Sequence, residues 1–232
     1  MSLKAVKIIE TSPIKNGDYK VVLGFAGAGF IGNTATMYAI RAKGLKQIAY
    51  LKSNLLPPMT LIMNGNPIQS FRIHLDENEK IMLVVTESLI PSESCRPIAM
   101  ELLEWLKSKG AKEIYSIEGL PFSNLSSEIR ALVYSNKIDL MKRGYPSVKE
   151  GALSGVNSCI MDQCLEEGFP FACFFVPTNK LTSIDYTGSA DAIDILNKMF
   201  KLGVDPSPLR GADQSQRTTE KTSMFGKIFK KD

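Results

Sequence analysis

The stretch Gly24-Phe25-Ala26-Gly27-Ala28-Gly29-Phe30-Ile31-Gly32 lies between an apolar run and an amphipathic helical pattern. Its spacing Gly27-x-Gly29-x-x-Gly32 matches the glycine fingerprint of a dinucleotide-binding turn. That fingerprint also needs an acidic residue about 20 positions further along the chain, which holds a ribose hydroxyl. The chain has no Asp or Glu between Tyr19 and Leu75, so the second half of the motif is missing.

Three interpretations of this turn remain open. Gly27 and Gly29 can adopt a positive φ and turn a strand sharply into a helix, while Gly32 lets that helix lie close to its neighbours. The turn would then serve packing or subunit contact. Alternatively, free N–H groups at the helix N-terminus bind an anion. The third interpretation, NAD binding, lacks its acidic residue. We group the residues of this candidate ligand or interface turn as Gly24, Phe25, Gly27, Gly29, Gly32 and Asn33.

Composition limits the classes of protein that this chain can belong to. Its 232 residues can bury a substantial core, and no window has the ~18 consecutive apolar residues of a membrane-spanning helix. The first residues lack the apolar core of a signal peptide, so we expect a cytoplasmic protein. The net charge is +4, of which +3 falls from Arg210 onward, where six basic residues outnumber three acidic ones. A nearly neutral body (+1) does not provide the broad basic face of a nucleic-acid-binding protein.

The chain offers few groups for catalysis. Its four cysteines form no C-x-x-C pair and it has one histidine, so we expect no metal site and no cofactor. Glu87 and Glu118 each follow an apolar strand, where catalytic groups of α/β proteins often lie. Both could face one crevice with the glycine turn as an acid or a base, but capping of a nearby loop is the alternative. We therefore expect a protein that is not an enzyme.

Short apolar runs alternate with helical patterns, which predicts an α/β fold. The predicted strands are residues 5–9, 19–25, 46–51, 68–74, 80–86, 113–118, 131–134 and 171–177. The predicted helices are residues 29–43, a helix that begins near Pro97 and ends at Gly110, 150–167 and 189–201. We expect residues 1–209 to form one α/β domain.

Two segments look suited to contact with other proteins. Between residues 54 and 67, two prolines and an Asn-Gly pair predict an apolar hairpin or flap, a natural surface for self-association. Its contact residues are Leu55, Leu56, Pro57, Pro58 and Met59. Residues 210–232 form a polar linker followed by a basic and apolar tail. Phe225, Ile228 and Phe229 are its candidate docking residues; a solvated terminus or a membrane-surface contact are the alternatives, the membrane being the weaker.

The order of the motifs resembles that of a known family. The glycine turn is followed by Leu55-Leu56-Pro57-Pro58, Leu83-Val84-Val85-Thr86-Glu87-Ser88, Ile117-Glu118-Gly119-Leu120-Pro121 and Glu150-Gly151-Ala152-Leu153-Ser154-Gly155. Over residues 4–209 this resembles the proteasome assembly chaperone family, in particular archaeal homologues related to the second eukaryotic assembly chaperone.

The resemblance implies a three-layer α/β/α sandwich with a mixed, largely parallel central sheet, like that of phosphorylases and peptidyl hydrolases but without their catalytic residues. It also implies a homo-oligomer that binds core proteasome subunits or a related assembly factor. Members that dock on the proteasome ring often end in a hydrophobic-Tyr-any tripeptide. This chain ends Lys230-Lys231-Asp232 and departs from that pattern. The alternative function is a nucleotide- or small-molecule-binding enzyme that uses the Gly24–Gly32 turn.

Overall fold

The computed structural model describes residues 5–63, 65–121 and 129–212. The predicted tail residues Phe225, Ile228 and Phe229 lie outside these ranges. Within them the elements run β1 (Val6–Glu10), β2 (Tyr19–Gly24), α1 (Ile31–Ala42), β3 (Gln47–Ser53), β4 (Thr60–Met63), β5 (Asn66–Gln69), β6 (Phe71–Asp76), β7 (Ile81–Thr86), α2 (Ser92–Ser108), β8 (Ala111–Pro121), β9 (Leu132–Ser135), α3 (Gly155–Glu167), β10 (Phe171–Thr178) and α4 (Tyr186–Phe200).

Eight of the strands form one mixed sheet in the order β1-β3-β6-β7-β2-β8-β10-β9. The neighbours β7, β2, β8 and β10 are parallel, and the strands on either side of them pair antiparallel. Strands β4 and β5 form a separate antiparallel hairpin. The three-layer α/β fold with a mixed sheet is confirmed.

Helices cover both faces of the sheet, and the pleat assigns each side chain to one of them. Val21 and Leu23 of β2 pack into the layer of α2 and α3, whereas Val22 packs into the layer of α1 and α4. All six residues of β7 are buried. A strand covered on both faces needs an unbroken apolar run, which is why Ile81-Met82-Leu83-Val84-Val85 shows no alternation.

Two predicted helix starts were wrong. Helix α2 begins at Ser92, and Pro97 lies inside it. The missing N–H of Pro97 leaves only the carbonyl of exposed Glu93 without its helical donor, and water can supply one there. Helix α3 begins at Gly155 and not near residue 150, because Ser154 is extended and Gly155 has a φ of 69°.

The predicted strand 68–74 is divided at Ser70. Residues before it belong to the hairpin and residues after it belong to β6 of the main sheet. The carbonyl of Ser70 accepts a hydrogen bond from the Glu87 backbone (3.2 Å), and the Ser88 hydroxyl donates to that of Ser70 (2.9 Å). These bonds tie the break to the loop after β7, a contact that no local sequence pattern shows.

The last described residues pack on α4. Arg210 donates to Asp191 (2.7 Å) and Asp194 (2.8 Å) of α4. Arg210, the first residue of the predicted linker, is therefore bound to the α/β domain. Among the described residues, no helix is both long enough and apolar enough to span a membrane.

We expect His74 to make stability pH-dependent. Its imidazole is buried in β6, its Nδ1 donates to the Leu45 carbonyl (3.0 Å), and burial lowers its pKa from 6.5 to about 4. Protonation therefore favours the unfolded chain, and this contribution to stability is lost as the pH falls from about 6.5 to 4. Between pH 7 and pH 5 the wild type should lose about 2 kcal/mol more unfolding free energy than His74→Gln.

Urea unfolding of both proteins at each pH measures this difference. Other titrating groups, including Glu118, whose raised pKa acts in the opposite sense, are common to both proteins and cancel. Parallel pH profiles for the two proteins would contradict the prediction.

Candidate functional site

The glycine turn lies at the carboxyl edge of the parallel strands, where ligands of α/β folds usually bind. Its glycines bring backbones into close contact. A Cβ on Gly32 would lie 2.2 Å from the carbonyl oxygen of Ile117, and one on Gly119 would lie 2.0 Å from that of Ala28. At Gly24 a Cβ would lie 2.1 Å from the Thr36 hydroxyl. Helix α1 and strand β8 therefore occupy the space beside these glycines.

Further contacts fasten the turn to α4 and β7. Gly29 has a φ of 65°, and its carbonyl accepts from the Asp185 backbone (2.8 Å). Asp185 caps α4 by accepting from the Gly188 backbone (3.0 Å), and it also accepts from the Thr178 hydroxyl (2.6 Å). Asn33 donates its amide to the Thr86 carbonyl (2.5 Å). The Gly29 carbonyl and the Asn33 side-chain amide are thus used in contacts within the protein.

Glu118 does lie beside the glycine turn. A Cβ on Gly27 would lie 2.8 Å from its Oε2, and its Oε1 accepts a hydrogen bond from Nδ2 of Asn157 in α3. Burial raises the pKa of Glu118 to about 7, although the bond from Asn157 acts in the opposite direction. This carboxyl group can therefore exchange a proton near neutral pH.

A cavity of about 240 Å³ opens between the turn, β7, β8 and the α2–α3 layer. Its polar lining includes Glu118, Asn157, Thr86 and Ser88, and Cys95 of α2 adds a thiol. We call this space the β8–α3 cavity. Burial raises the pKa of the Cys95 thiol, so the sulfur is a weak nucleophile there.

Glu87 does not face this cavity, which corrects the expectation that both glutamates share one crevice. Extending the register of β2 with β7 and β8 by one or two residues brings Thr86 and Glu118 level with each other, and both line the cavity on the α2–α3 side of the sheet. Glu87 is the next residue after Thr86, so it points to the opposite side. There its carboxylate accepts two hydrogen bonds from buried Arg72, at 2.6 and 2.9 Å.

The loop after β3 and the β4–β5 hairpin form a second feature, an open groove of about 920 Å³. Leu56, Pro57, Pro58 and Met59 line it, while Leu55 packs against the core. Met59, which lines the groove, is 43% exposed. Ile62 on β4 is 68% exposed and lines a neighbouring cavity. We call the groove together with the exposed apolar side chains of the hairpin the hairpin groove.

Sequence reasoning missed Asn157, Cys95 and Arg72. Asn157 is a polar residue on the buried face of α3, next to Val156 and one turn from Ile160. A polar residue on an otherwise apolar helix face indicates a buried hydrogen bond, and the sequence alone shows this pattern. Arg72 stands in a strand that is buried on both faces, where an isolated cation needs a carboxylate partner. Within the described ranges, no three His, Cys, Asp or Glu side chains group as metal ligands.

The fold and this site define a three-layer α/β protein whose glycine turn is packed against its own backbone. A family model described as the PAC2 family matches residues 21–221, and the chain belongs to that family. This confirms the resemblance seen in the order of motifs.

Three known proteins are similar to this chain over most of its length. A Methanocaldococcus jannaschii protein described as uncharacterized is 23% identical over 203 residues, which cover 86% of this chain and 83% of the relative. The Pyrococcus furiosus protein PbaA, described as an archaeal homolog of proteasome-assembly chaperone, superposes with a TM-score of 0.83 at 22% identity, covering 97% of this chain and 96% of PbaA. PbaB of the same organism, described as an archaeal proteasome activator, gives 0.77 at 17% identity, covering 97% and 99%.

Replacing Gly32 tests the close packing of the turn. Alanine normally stabilises a helix relative to glycine, by about 0.5–1 kcal/mol. Here its Cβ would clash with the Ile117 carbonyl, so we expect Gly32→Ala to lose about 1–3 kcal/mol of unfolding free energy. Gly211→Ala is the control, because a Cβ there meets no atom within 4 Å. Urea unfolding distinguishes the two, and a Gly32→Ala protein as stable as wild type would contradict the packing account.

Proposed function

We propose that this PAC2-family protein is a non-catalytic assembly factor of the proteasome-assembly-chaperone kind. It acts in the cytoplasm as a homo-oligomer and binds proteasome core-particle subunits or a related assembly factor. The observation that carries this proposal is the match to PbaA over nearly the full length of both chains, together with the family match over residues 21–221. PbaA and PbaB are both described by their relation to the proteasome, and for this reason we propose proteasome subunits as the partners.

The hairpin groove is the surface we assign to self-association. It projects from the main sheet on a separate two-stranded hairpin, and it exposes Met59 and Ile62 beside two prolines. Exposed apolar side chains gathered around a groove are typical of protein contact surfaces. Leu55 and Leu56 anchor the base of the loop, so the loop holds its shape when its outer face is covered.

The charge of the groove limits which kinds of protein surface can bind there. The chain between Tyr19 and Leu75 has no acidic residue, and Lys52 is among the residues that line the groove. A basic partner patch would therefore find no carboxylate in this segment, whereas apolar, neutral or acidic patches would be complementary.

The state of the two candidate carboxylates supports a binding role more than a catalytic one. Glu87 is paired with Arg72 in a two-point contact and is directed away from the β8–α3 cavity. Glu118 contacts an amide and is accompanied in its cavity by neutral side chains only. No histidine and no second carboxylate lines the cavity beside Glu118 to share general acid–base work.

Native mass spectrometry of the wild type, alone and mixed with α and β-precursor proteasome subunits, tests this proposal. We expect a defined homo-oligomer that captures those subunits. The double variant Met59→Asp/Ile62→Asp should raise the dissociation constant of self-association at least tenfold, about 1.4 kcal/mol, because two carboxylates enter an apolar contact.

Met141→Asp is the matched control, since Met141 is 67% exposed outside the hairpin groove. It should assemble as the wild type does. If the double variant assembled with wild-type affinity, the groove would not be part of the self-association contact. A stable oligomer that captures no subunit would contradict the assembly function while leaving the groove in place.

The tail is the second contact that we assign to partners. In the full-length chain, Phe225→Ser/Ile228→Ser/Phe229→Ser should weaken subunit capture at least fivefold and leave the oligomer intact, because the change removes apolar groups far along a polar linker. Thr218→Ser/Thr219→Ser/Thr222→Ser is a control in the same segment. Affinity measured by biolayer interferometry should separate the two, and equal capture by both variants would exclude the tail.

A further inference from the structure

We propose that the β8–α3 cavity binds a small uncharged molecule that presents an amide edge, with an N–H donor next to a C=O acceptor. Six-membered lactams and pyrimidine bases belong to this class. The site goes beyond the proposed assembly function and does not depend on it. Its basis is a built set of polar groups at the point where β7, β8 and α3 meet.

The size of the cavity limits the ligand. A water molecule occupies about 30 Å³ in the liquid, so 240 Å³ holds roughly eight waters. Pockets for drug-sized ligands begin at about 300 Å³, which makes this one suitable for a single small ring. A complete dinucleotide does not fit in it.

The charges of the side chains that line the cavity disfavour an anion. Fourteen residues line the cavity, and none of them is Lys or Arg, whereas Glu118 contributes a carboxyl group. A phosphate would meet this carboxyl group with no cation to balance it. The cavity therefore favours a neutral ligand, which separates it from the phosphate interpretation of the glycine turn.

Asn157 contains a buried acceptor that has no partner in the described part of the protein. Its side chain is 1% exposed, and it lines the cavity. Its Nδ2 donates to Glu118, while its Oδ1 has no hydrogen-bond partner among the described residues. A buried amide oxygen without a donor destabilises the folded protein. Because this oxygen is itself buried, an N–H group of a ligand would satisfy it once the Asn157 side chain has rotated toward the cavity.

Two groups beside Asn157 can satisfy the ligand's carbonyl oxygen. Helix α3 begins at Gly155, and the Ser154 side chain makes no capping bond, so the N–H groups of its first turn have no side-chain partner there. Glu118 can donate its proton, since burial raises its pKa to about 7. A donor and an acceptor at one edge match this arrangement; a trans peptide bond, whose N–H and C=O point in opposite directions, does not.

The walls suit a flat ring. Phe25, Leu89, Ile90 and Val156 provide the apolar part of the lining. Gly27 keeps the approach to Glu118 free, because a Cβ there would lie 2.8 Å from the carboxylate oxygen. The absence of a side chain at Gly27 thus leaves space for the cavity.

Saturation-transfer-difference NMR on the full-length protein tests this site with uracil and 2-piperidone as probes. We expect at least one of them to bind saturably below 10 mM. The matched analogues 1,3-dimethyluracil and N-methyl-2-piperidone, which keep the carbonyl but lose the N–H donor, should bind at least tenfold more weakly. Inorganic phosphate should not displace the probe.

Asn157→Leu should weaken the bound probe at least tenfold, whereas Gln163→Leu, a partly exposed amide on the same helix, should not. If Asn157→Leu does not fold, Asn157→Ala removes the same acceptor without adding bulk. The proposal is overturned if neither probe saturates, if the methylated analogues bind as well as their parents, or if a folded Asn157 variant binds like the wild type. The methylated analogues decide the matter on the unmodified protein.

Discussion

The close approach of helix α1 to strand β8 is the constraint on which the rest of the structure depends. Gly32 and Gly119 allow it by leaving room for the carbonyl oxygens of Ile117 and Ala28. With the helix that close, Ile31 and Ala35 reach the core of the α1–α4 layer, and the Gly29 carbonyl reaches the Asp185 backbone. One set of glycines thus positions α1, fixes the start of α4 and shapes the edge of the sheet.

This approach also explains why a glycine fingerprint can be present without the function it usually signals. In a dinucleotide site the glycines leave room for a pyrophosphate at the helix N-terminus. Here the space beside Gly27 is taken by the Glu118 side chain, and the space beside Gly29 by Thr178, Asp185 and the Lys180 carbonyl. Asn33 at the start of α1 is bonded to the Thr86 carbonyl. The β8–α3 cavity, with Glu118 and Asn157, lies on the opposite side of the sheet. Identical spacing therefore serves packing on one face and a small neutral cavity on the other.

The fold could be predicted from the sequence where burial leaves a local pattern. The apolar run of β7 and the glycine after α3 gave a central strand and a helix end within a residue or two of the structure. The site could be predicted only in part. The opposite faces of Glu87 and Glu118 depend on the exact end of β7, because a shift of one residue reverses the face of every side chain. The Asn157 contact joins positions 39 residues apart, which a single sequence does not pair.

The distribution of charge has a consequence for the proposed assembly role. The segment that carries the hairpin groove has no acidic residue, and the sequence from Arg210 onward has six basic residues against three acidic ones. A basic tail gains nothing electrostatically from a surface without carboxylates, so the tail is a poor occupant for the chain's own groove. The groove, which we assign to self-association, and the tail, which we assign to partners, therefore bind different surfaces. Each subunit of a homo-oligomer held through the groove contributes one tail, so several tails can engage one multisubunit partner and strengthen binding through effective concentration without any new contact.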